Sequence, residues 1–171
     1  MKILVMSDTH RMIKYADRVL KDFENKIDGF IHLGDCIDDA YELHGRYNKL
    51  RFWAVKGNCD YTEGRTFTVA NIEGRRIYLC HGHREDVRYD RLRLVYSAKE
   101  HNCVCALYGH THIGDIDSYG GVDIFNPGSL SMPRDGLTKT FGLLDITKDS
   151  ISAEILGIDG DSYKTMMKGL T

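Results

Sequence analysis

The stretch KILVMSDTH, residues 2–10, joins an apolar run to a short polar turn. Residues 3–6 are apolar without interruption, which is typical of a strand that is buried on both faces of a sheet. Apolar residues then recur at helical spacing over residues 12–24. This part of the chain therefore predicts a strand, a turn and a helix.

The same order of elements returns further along the chain. Residues 29–33 predict a second strand, residues near 40–45 a short helix, and residues 51–55 a third strand. Strands that are joined by helices indicate a parallel sheet, because a helical crossover brings the next strand back in the same direction. The fold class predicted from this half is α/β.

Short β-like segments predominate beyond Gly57. A hairpin is predicted around the connection Glu73-Gly74-Arg75, and a helix over residues 89–101. The strands predicted here are residues 66–72, 76–80, 104–108, 115–119, 122–125, 141–146 and 151–155. We interpret the later part as mostly antiparallel sheet, with no clear pattern in residues 160–171. No linker divides the chain, so residues 1–171 are predicted to form a single domain.

Composition and charge narrow the class of protein. With 42% hydrophobic and 28% charged residues, the 171-residue chain predicts a globular domain with one sizeable core. A net charge of -2 gives no basic field for nucleic-acid phosphates, so nucleic acid is not the expected substrate. No apolar run approaches the roughly 20 residues of a membrane span. Because Ser7-Asp8 interrupts the first apolar run too early for a signal peptide, we predict a cytoplasmic protein without membrane attachment.

The five cysteines are odd in number, which argues against a disulfide framework and predicts reduced thiols. Cys103 and Cys105 form a C-x-C pair, but no second pair has the spacing of a zinc site. Their alternate positions in an apolar run favour buried structural cysteines.

Metal-binding residue types stand after the predicted strands, beside Gly, Ser or Thr. These segments are Asp8-Thr9-His10, Gly34-Asp35, Gly57-Asn58-Cys59-Asp60, His81-Gly82-His83 and Gly109-His110-Thr111-His112. In an open α/β sheet ligands bind beyond the carboxyl ends of the strands, so we expect these segments to meet at one edge. If the strand persists through Asp8 and His10, their side chains emerge on one face and can bind one ion. His110 and His112 repeat that spacing.

Carboxylate oxygens and imidazole nitrogens, with no thiolate required, favour manganese first, with nickel, iron, cobalt or zinc as alternatives, over calcium or magnesium. Two such ions at about 3.5 to 4 Å would contact both the attacking and the leaving oxygen of a displacement at phosphorus. Two divalent cations that face only the carboxylates of Asp8 and Asp35 keep a net positive charge even with a bridging hydroxide. This positive charge favours the binding of an anionic phosphodiester. A bound water whose pKa is lowered toward about 7 would supply the nucleophile.

These segments, followed by Asn126-Pro127-Gly128-Ser129, stand in the order seen in calcineurin-like metallophosphoesterases. The chain resembles the small YfcE-like phosphodiesterase branch of that superfamily most, over residues 8–129. The resemblance implies a four-layer α/β/β/α sandwich of two mixed sheets. It also implies a binuclear phosphodiesterase in which a hydroxide between the metals attacks small or activated phosphodiesters.

The resemblance assigns roles to individual residues. It makes Asp8, His10, Asp35 and His112 ligands of one metal, and Asp35, Asn58, His81 and His110 ligands of the other. Asp35 would bridge the two ions, and Asn58 and His81 would help to stabilise the additional charge on phosphorus.

The wider family usually has His after the motif Asn, where it is thought to protonate the leaving group, but this chain has Cys59. His83 could contact the phosphate or donate that proton instead. Loss of a protonated imidazole slows the expulsion of alkoxides more than that of phenolates, so we expect slow turnover except on activated diesters.

Simpler interpretations of single residues stand beside these. Asp8 alone could cap a helix and Asn58 could be a turn residue. His32, inside an apolar strand, is interpreted as a hydrogen-bonded core histidine. Arg11 and Arg134 are either phosphate contacts or solvated side chains.

Alternatives also remain open for the whole protein. The first is a non-catalytic protein-interaction scaffold on the same fold, as in the retromer subunit that resembles these enzymes, and the second is a nuclease. The expected partner is a small phosphodiester substrate, and a homodimer or higher homo-oligomer is left open.

Overall fold

The computed structural model describes residues 1–136 and 138–170. The helices are α1 (Ile13–Phe23), α2 (Ile37–Arg46) and α3 (Leu92–Glu100). The strands are β1 (Lys2–Met6), β2 (Gly29–His32), β3 (Arg51–Ala54), β4 (Phe67–Ile72), β5 (Arg75–Cys80), β6 (Cys105–Leu107), β7 (Gly114–Tyr119), β8 (Val122–Pro127), β9 (Thr140–Ile146), β10 (Ile151–Asp159) and β11 (Ser162–Gly169). No helix of the described ranges has the length and apolar character that crossing a membrane would require.

The strands form two mixed sheets. The first has six strands in the order β11-β10-β9-β1-β2-β3, and the second has five in the order β4-β5-β6-β8-β7. In the first sheet β1, β2 and β3 are parallel, whereas β9, β10 and β11 join antiparallel to them and to one another. In the second sheet β5, β6 and β8 are parallel, and β4 and β7 are antiparallel edge strands. From β4 onward, the pairings of β6 with β5 and with β8 are parallel, and the other described pairings are antiparallel. The last three strands, β9, β10 and β11, join the first sheet.

Helices cover the outer faces of the two sheets, and the core between the sheets is apolar. On β1, Ile3 and Val5 face the second sheet, where they share a core with Leu79. Leu4 and Met6 face the other way and pack against α1. Helix α3 covers the outer face of the second sheet. The predicted α/β/β/α sandwich is confirmed, and burial on both faces explains why β1 is apolar throughout. A single domain over residues 1–171 stays a prediction.

The predicted elements agree with the structure to within a few residues, with one clear exception. Residues 160–171 showed no pattern, but Ser162–Gly169 form β11, which pairs with β10 at the edge of the first sheet; Thr171 lies outside the described residues. The strand was missed because nearly all its side chains are exposed, so no alternation of apolar and polar residues marks it.

Candidate metal centre

The turns that follow the parallel strands meet at one edge of the sandwich. The backbone N–H of Asp8 donates to the carbonyl of Gly34 at 2.9 Å, and that of Gly109 donates to the carbonyl of His81 at 3.0 Å. Donor atoms of four side chains then lie within 4.8 Å of one another: Asp8, His10, Asp35 and His112. The expected convergence of distant segments is therefore observed.

The pairs two residues apart converge for a reason other than the one predicted. Strand β1 ends at Met6 and β6 at Leu107, so neither strand reaches the metal-binding residue types. Instead the backbone is left-handed at four positions, with φ of 55° at Asp8, 44° at His10, 68° at His110 and 61° at His112. The interpretation that each pair shares one face of a strand is wrong. Left-handed turns, which are costly for residues other than glycine, bring the side chains together.

Asp8 is fully buried and held through two of its three oxygens. Its Oδ2 accepts hydrogen bonds from the Ser7 hydroxyl at 2.6 Å and the His110 N–H at 3.1 Å. Its backbone carbonyl accepts from the hydroxyls of Ser129 at 2.9 Å and Ser131 at 2.6 Å. The Asn-Pro-Gly-Ser segment thus positions the turn of Asp8, and Ser131 shares this role although no sequence motif singled it out. The remaining oxygen, Oδ1, is buried and has no hydrogen-bond partner within residues 1–136 and 138–170.

His81 and His112 are oriented by backbone carbonyls. The Nδ1 of His112 lies 2.6 Å from the carbonyl of Met132, and that of His81 lies 2.7 Å from the carbonyl of Leu33. Because a carbonyl only accepts, each Nδ1 carries a proton, and in the neutral ring each Nε2 presents a lone pair. The Nε2 of His112 lies 3.1 Å from Asp8 Oδ1. The Nε2 of His81 is buried, and no described residue offers it a hydrogen bond. Such orientation by a carbonyl is typical of histidines that bind metals.

Asp35 stands between two groups of imidazoles. Its Oδ1 accepts from the N–H of Cys59 at 2.9 Å and lies 3.4 Å from the Nε2 of His81. Its Oδ2 lies 3.7 Å from the Nε2 of His10, which is itself 3.3 Å from the Nε2 of His112. An ion with bonds of about 2.0–2.2 Å holds neighbouring donors about 3.0–3.5 Å apart. Several of these separations fit a divalent transition metal.

Both carboxylates are ionised in spite of their burial. Burial raises the pKa of Asp8, but His112 and His81 outweigh that effect and lower it. Burial likewise raises the pKa of Asp35, and His81 with the Cys59 N–H brings it well below its usual value. Two buried negative charges therefore face one another across the centre, which a cation would compensate.

The pKa values of His81 and His110 are also shifted by burial and by the charges around them. Burial opposes the protonation of His81, but Asp35 and Asp8 raise its pKa above the usual value. Burial, with the charges of His81 and Arg88, lowers the pKa of His110 to about 4, so this imidazole is neutral at pH 7. A neutral imidazole is the form that binds a metal.

Asn58 and His83 lie at the outer side of the centre. Asn58 is exposed, and its amide Nδ2 donates to Cys59 Sγ at 3.3 Å, so the side chain is turned toward its neighbour. The ring of His83 has its centroid 5.4 Å from that of His81, and its Nδ1 is buried without a hydrogen-bond partner among the residues that the structure describes. Burial lowers the pKa of His83, and the charge of His81 adds to this. The rings of His81 and His110 are 5.1 Å apart between centroids.

Asp60 binds the turns to one another, a role that the sequence did not reveal. Its Oδ2 accepts from the N–H groups of Gly57 at 2.7 Å and Asp35 at 3.1 Å. Its Oδ1 accepts from those of Cys36 at 2.9 Å and Ile37 at 2.7 Å, where α2 begins. The only available signal was an acidic residue shortly after Asn58, a residue type that often accepts backbone N–H groups in turns.

The remaining predicted residues lie around the centre. His32 is fully buried; it accepts from the Gly34 N–H at 3.2 Å through Nδ1, and its Nε2 lies 3.0 Å from the Thr9 hydroxyl. The interpretation of a hydrogen-bonded core histidine is confirmed. Arg11 and Arg134 are both exposed, and contact of their side chains with phosphate stays a prediction. All five cysteines are free, and Cys103 and Cys105 are buried, as predicted.

Comparison with known proteins agrees with this geometry. Residues 1–149 match the model of the calcineurin-like phosphoesterase superfamily domain. The chain is 28% identical to the probable metallophosphoesterase YsnB of Bacillus subtilis over 173 residues, which covers 100% of this chain and 99% of YsnB. It is 29% identical to the phosphodiesterase YfcE of Escherichia coli, over 85% of this chain and 88% of YfcE.

Solved structures share the whole architecture. Wild-type Vps29 from Entamoeba histolytica, complexed with zinc, has a TM-score of 0.81 at 25% identity and covers 99% of each chain. The structure of E. coli YfcE has a TM-score of 0.73 at 23% identity, over 99% of this chain and 98% of YfcE, and shows likeness of fold alone. Fold and family match together confirm the predicted metal-dependent phosphoesterase at the level of the family. The chain belongs to the calcineurin-like phosphoesterase superfamily.

Proposed function

We propose that the protein is a binuclear metal-dependent phosphodiesterase that hydrolyses small or activated phosphodiesters. The observation that supports this most is the pair of buried polar atoms, Asp8 Oδ1 and His81 Nε2, that have no hydrogen-bond partner in the described part of the chain. Leaving such atoms unpaired costs several kcal/mol by order of magnitude, and more for a charged group. Two cations that share Asp35, one bound by Asp8 Oδ1 and the other by His81 Nε2, would remove that cost.

The proposed ligands fall into two sets that share one carboxylate. The first set is Asp8, His10, Asp35 and His112, and the second is Asp35, Asn58, His81 and His110. The placement of Asp35 supports a bridging role, because one oxygen faces His10 and the other faces His81. Asn58 would have to turn from Cys59 to complete the second set. Manganese is the metal we favour, with nickel, iron, cobalt or zinc as alternatives.

When bound, the two cations supply a water of lowered pKa as the nucleophile and neutralise charge on the phosphate. The chain itself fixes the geometry. The carbonyl of Leu33 holds His81 in one tautomer and orientation. Asn58, exposed at the mouth of the site, can donate an amide hydrogen bond to a phosphoryl oxygen as negative charge increases there.

Protonation of the leaving group is the weak step of this site. Burial and the nearby Asp35 raise the pKa of Cys59 to about 11, so its thiol is a poor acid at pH 7. His83 has a lowered pKa and is neutral, which favours contact with the phosphate over proton donation. We therefore expect diesters with phenolate leaving groups to be cleaved much faster than dialkyl diesters.

The decisive test is hydrolysis of bis(p-nitrophenyl) phosphate by chelator-treated protein with and without added Mn²⁺ or Ni²⁺. Activity should depend on the metal, and His110→Ala should lower it about 100-fold or more by removing a ligand. His101→Ala, which removes an imidazole at the end of α3 outside the site, is the matched control. Full activity in His110→Ala would dispose of the two-metal assignment.

A non-catalytic interaction scaffold is the alternative, since Vps29 shares the fold over almost the whole chain. Absence of metal-dependent hydrolysis on aryl diesters would favour the scaffold. Strong competition by single-stranded DNA in the same assay would favour a nuclease. A cytoplasmic location and a homo-oligomeric state stay predictions.

A further inference from the structure

A cavity of about 430 Å³ opens directly beside the metal centre. Its walls include Arg88, Arg91, Thr111, Asp115 and Arg134. Thr111 stands between two proposed metal ligands in the sequence. The backbone N–H of Arg134 donates to the carbonyl of His112 at 3.1 Å. The cavity and the metal centre thus share a wall.

Asp115 is the acidic residue among the described residues that line this cavity, and its carboxylate already accepts hydrogen bonds. Asp115 Oδ2 accepts from Arg91 Nη2 at 3.2 Å and from the hydroxyl of Tyr108. The Arg91 guanidinium also lies over the Tyr108 ring, 5.1 Å from its centroid, and donates to the carbonyl of Val87. Arg91 and Asp115 therefore form a fixed, neutral wall. They leave the other charges of the cavity uncompensated.

Arg88 and Arg134 supply those charges. Both are exposed, and neither forms an ion pair with a carboxylate among the residues that the structure describes. Asp135 follows Arg134 and lines an adjoining cavity; its Oδ2 accepts at 3.4 Å from the N–H of Gly114, a residue that both cavities share, and it forms no ion pair with either arginine among the described residues. Two guanidinium groups that are not paired with a carboxylate in the described part of the chain give this cavity a local surplus of positive charge. Such a local surplus of positive charge concentrates anions.

We propose that this cavity, the arginine subsite, binds a second phosphate group carried by the diester substrate. The inference rests on the proposed phosphodiesterase function. The diester phosphate would lie at the metal centre, and the guanidinium groups of Arg88 and Arg134 would donate to the oxygens of a terminal phosphate on the same molecule. A volume of about 430 Å³ accommodates a phosphorylated sugar or nucleoside. The substrate class is phosphodiesters that carry a terminal phosphomonoester.

The test compares two substrates that release the same leaving group. They are thymidine 5′-(p-nitrophenyl phosphate) and its 3′-phosphorylated form, assayed with Mn²⁺. The wild type should show a kcat/KM about tenfold higher for the 3′-phosphorylated form, as expected for two charge-assisted contacts near solvent. In the double variant R88Q/R134Q this ratio should fall about fivefold or more. Arg93→Gln, which removes a guanidinium paired with Asp86 outside the cavity, should keep the wild-type ratio.

A ratio near one in the wild type, or an unchanged ratio in R88Q/R134Q, overturns the arginine subsite. If the wild type hydrolyses neither substrate with any metal, the proposed function fails, and calorimetry decides the subsite separately. Thymidine 3′,5′-bisphosphate should then bind about tenfold more tightly than thymidine 5′-phosphate, and R88Q/R134Q should lose that gain. Equal affinities in the wild type would refute the proposal.

Discussion

Replacing Asp60 should destabilise the protein and the metal centre together. Its carboxylate accepts four backbone N–H groups, from Gly57, Asp35, Cys36 and Ile37, at 2.7 to 3.1 Å. A hydrogen bond to a charged group contributes about 1.5–3 kcal/mol. Because Asp60 is only half-buried and water can replace part of the loss, we expect Asp60→Ala to lower the free energy of unfolding by about 3–5 kcal/mol.

Asp60→Asn removes the negative charge but keeps the shape of the side chain, whereas Asp60→Ala removes both. The amide keeps one accepting oxygen and turns its NH₂ toward two backbone donors, so about half of the stabilisation, roughly 1.5–2.5 kcal/mol, should be lost. The Asp35 N–H is among the donors, so the bridging carboxylate would also shift. A displacement of about 1 Å at a catalytic group can cost about 100-fold in rate. We expect kcat/KM to fall between about 10-fold and 100-fold in Asp60→Asn.

Urea unfolding of chelator-treated protein, followed by the fluorescence of the single tryptophan, Trp53, measures the stability term. The matched control is Asp38→Asn on α2, where an exposed carboxylate accepts one bond from the Thr62 hydroxyl at 3.0 Å; it should cost less than about 1 kcal/mol. If Asp60→Ala is no less stable than Asp38→Asn, the reasoning about the four N–H groups is refuted.

Three further predictions concern Gly57, the binding of Mn²⁺ and the buried imidazole of His32. Gly57→Ala would place a Cβ 2.1 Å from Asp35 Oδ1, so Mn²⁺-dependent activity should fall at least about 100-fold, and near-normal activity would contradict the close approach. Adding Mn²⁺ at about 100 times its Kd should raise Tm by about 5–10 °C, an increase that Asp35→Asn should largely abolish. Burial lowers the pKa of His32 to about 4 from an unfolded value near 6.5, so its neutral form stabilises the fold above pH 6.5 and that contribution is lost as pH falls toward 4. Between pH 7.5 and pH 5 chelated wild type should therefore lose about 2 kcal/mol more stability than His32→Asn, and parallel pH profiles would count against the assignment.

The parts of the fold that the sequence predicts well are those in which burial leaves a periodic signal. The apolar run of β1 is continuous because both faces are covered, and α1 buries Ala16, Val19 and Leu20 at helical spacing. Strand β11 shows the converse. It is held by backbone pairing with β10 while its side chains stay in solvent, so its residues carry almost no information about its conformation.

The candidate site was predictable in its residue types but not in its geometry. The recurrence of Asp, Asn and His beside glycines after strands indicated which side chains would meet, since parallel strands end at one edge. The left-handed turns were not predictable, because they occur at Asp8 and His10 rather than at glycines. Asp60 was likewise missed, because a carboxylate that accepts four N–H groups from the turns after β2 and β3 cannot be identified before those turns are placed together.

Backbone strain and buried charge coincide at the proposed metal ligands, and this coincidence favours a metal site at this edge of the sandwich. Left-handed backbone occurs at five of the seven proposed ligands: Asp8, His10, Asp35, His110 and His112. Each such residue costs of order 1–3 kcal/mol, and the ionised carboxylates add the cost of burial without full pairing. An interaction surface elsewhere on the fold would gain nothing from these costs, and asparagine or glycine at the same positions would relieve them. Metal binding, in contrast, requires this donor set and stabilises it, so the energetics of this edge of the sandwich favour a bound cation, and metal-dependent hydrolysis of an aryl diester is the measurement that then distinguishes an enzyme from a scaffold that binds metal.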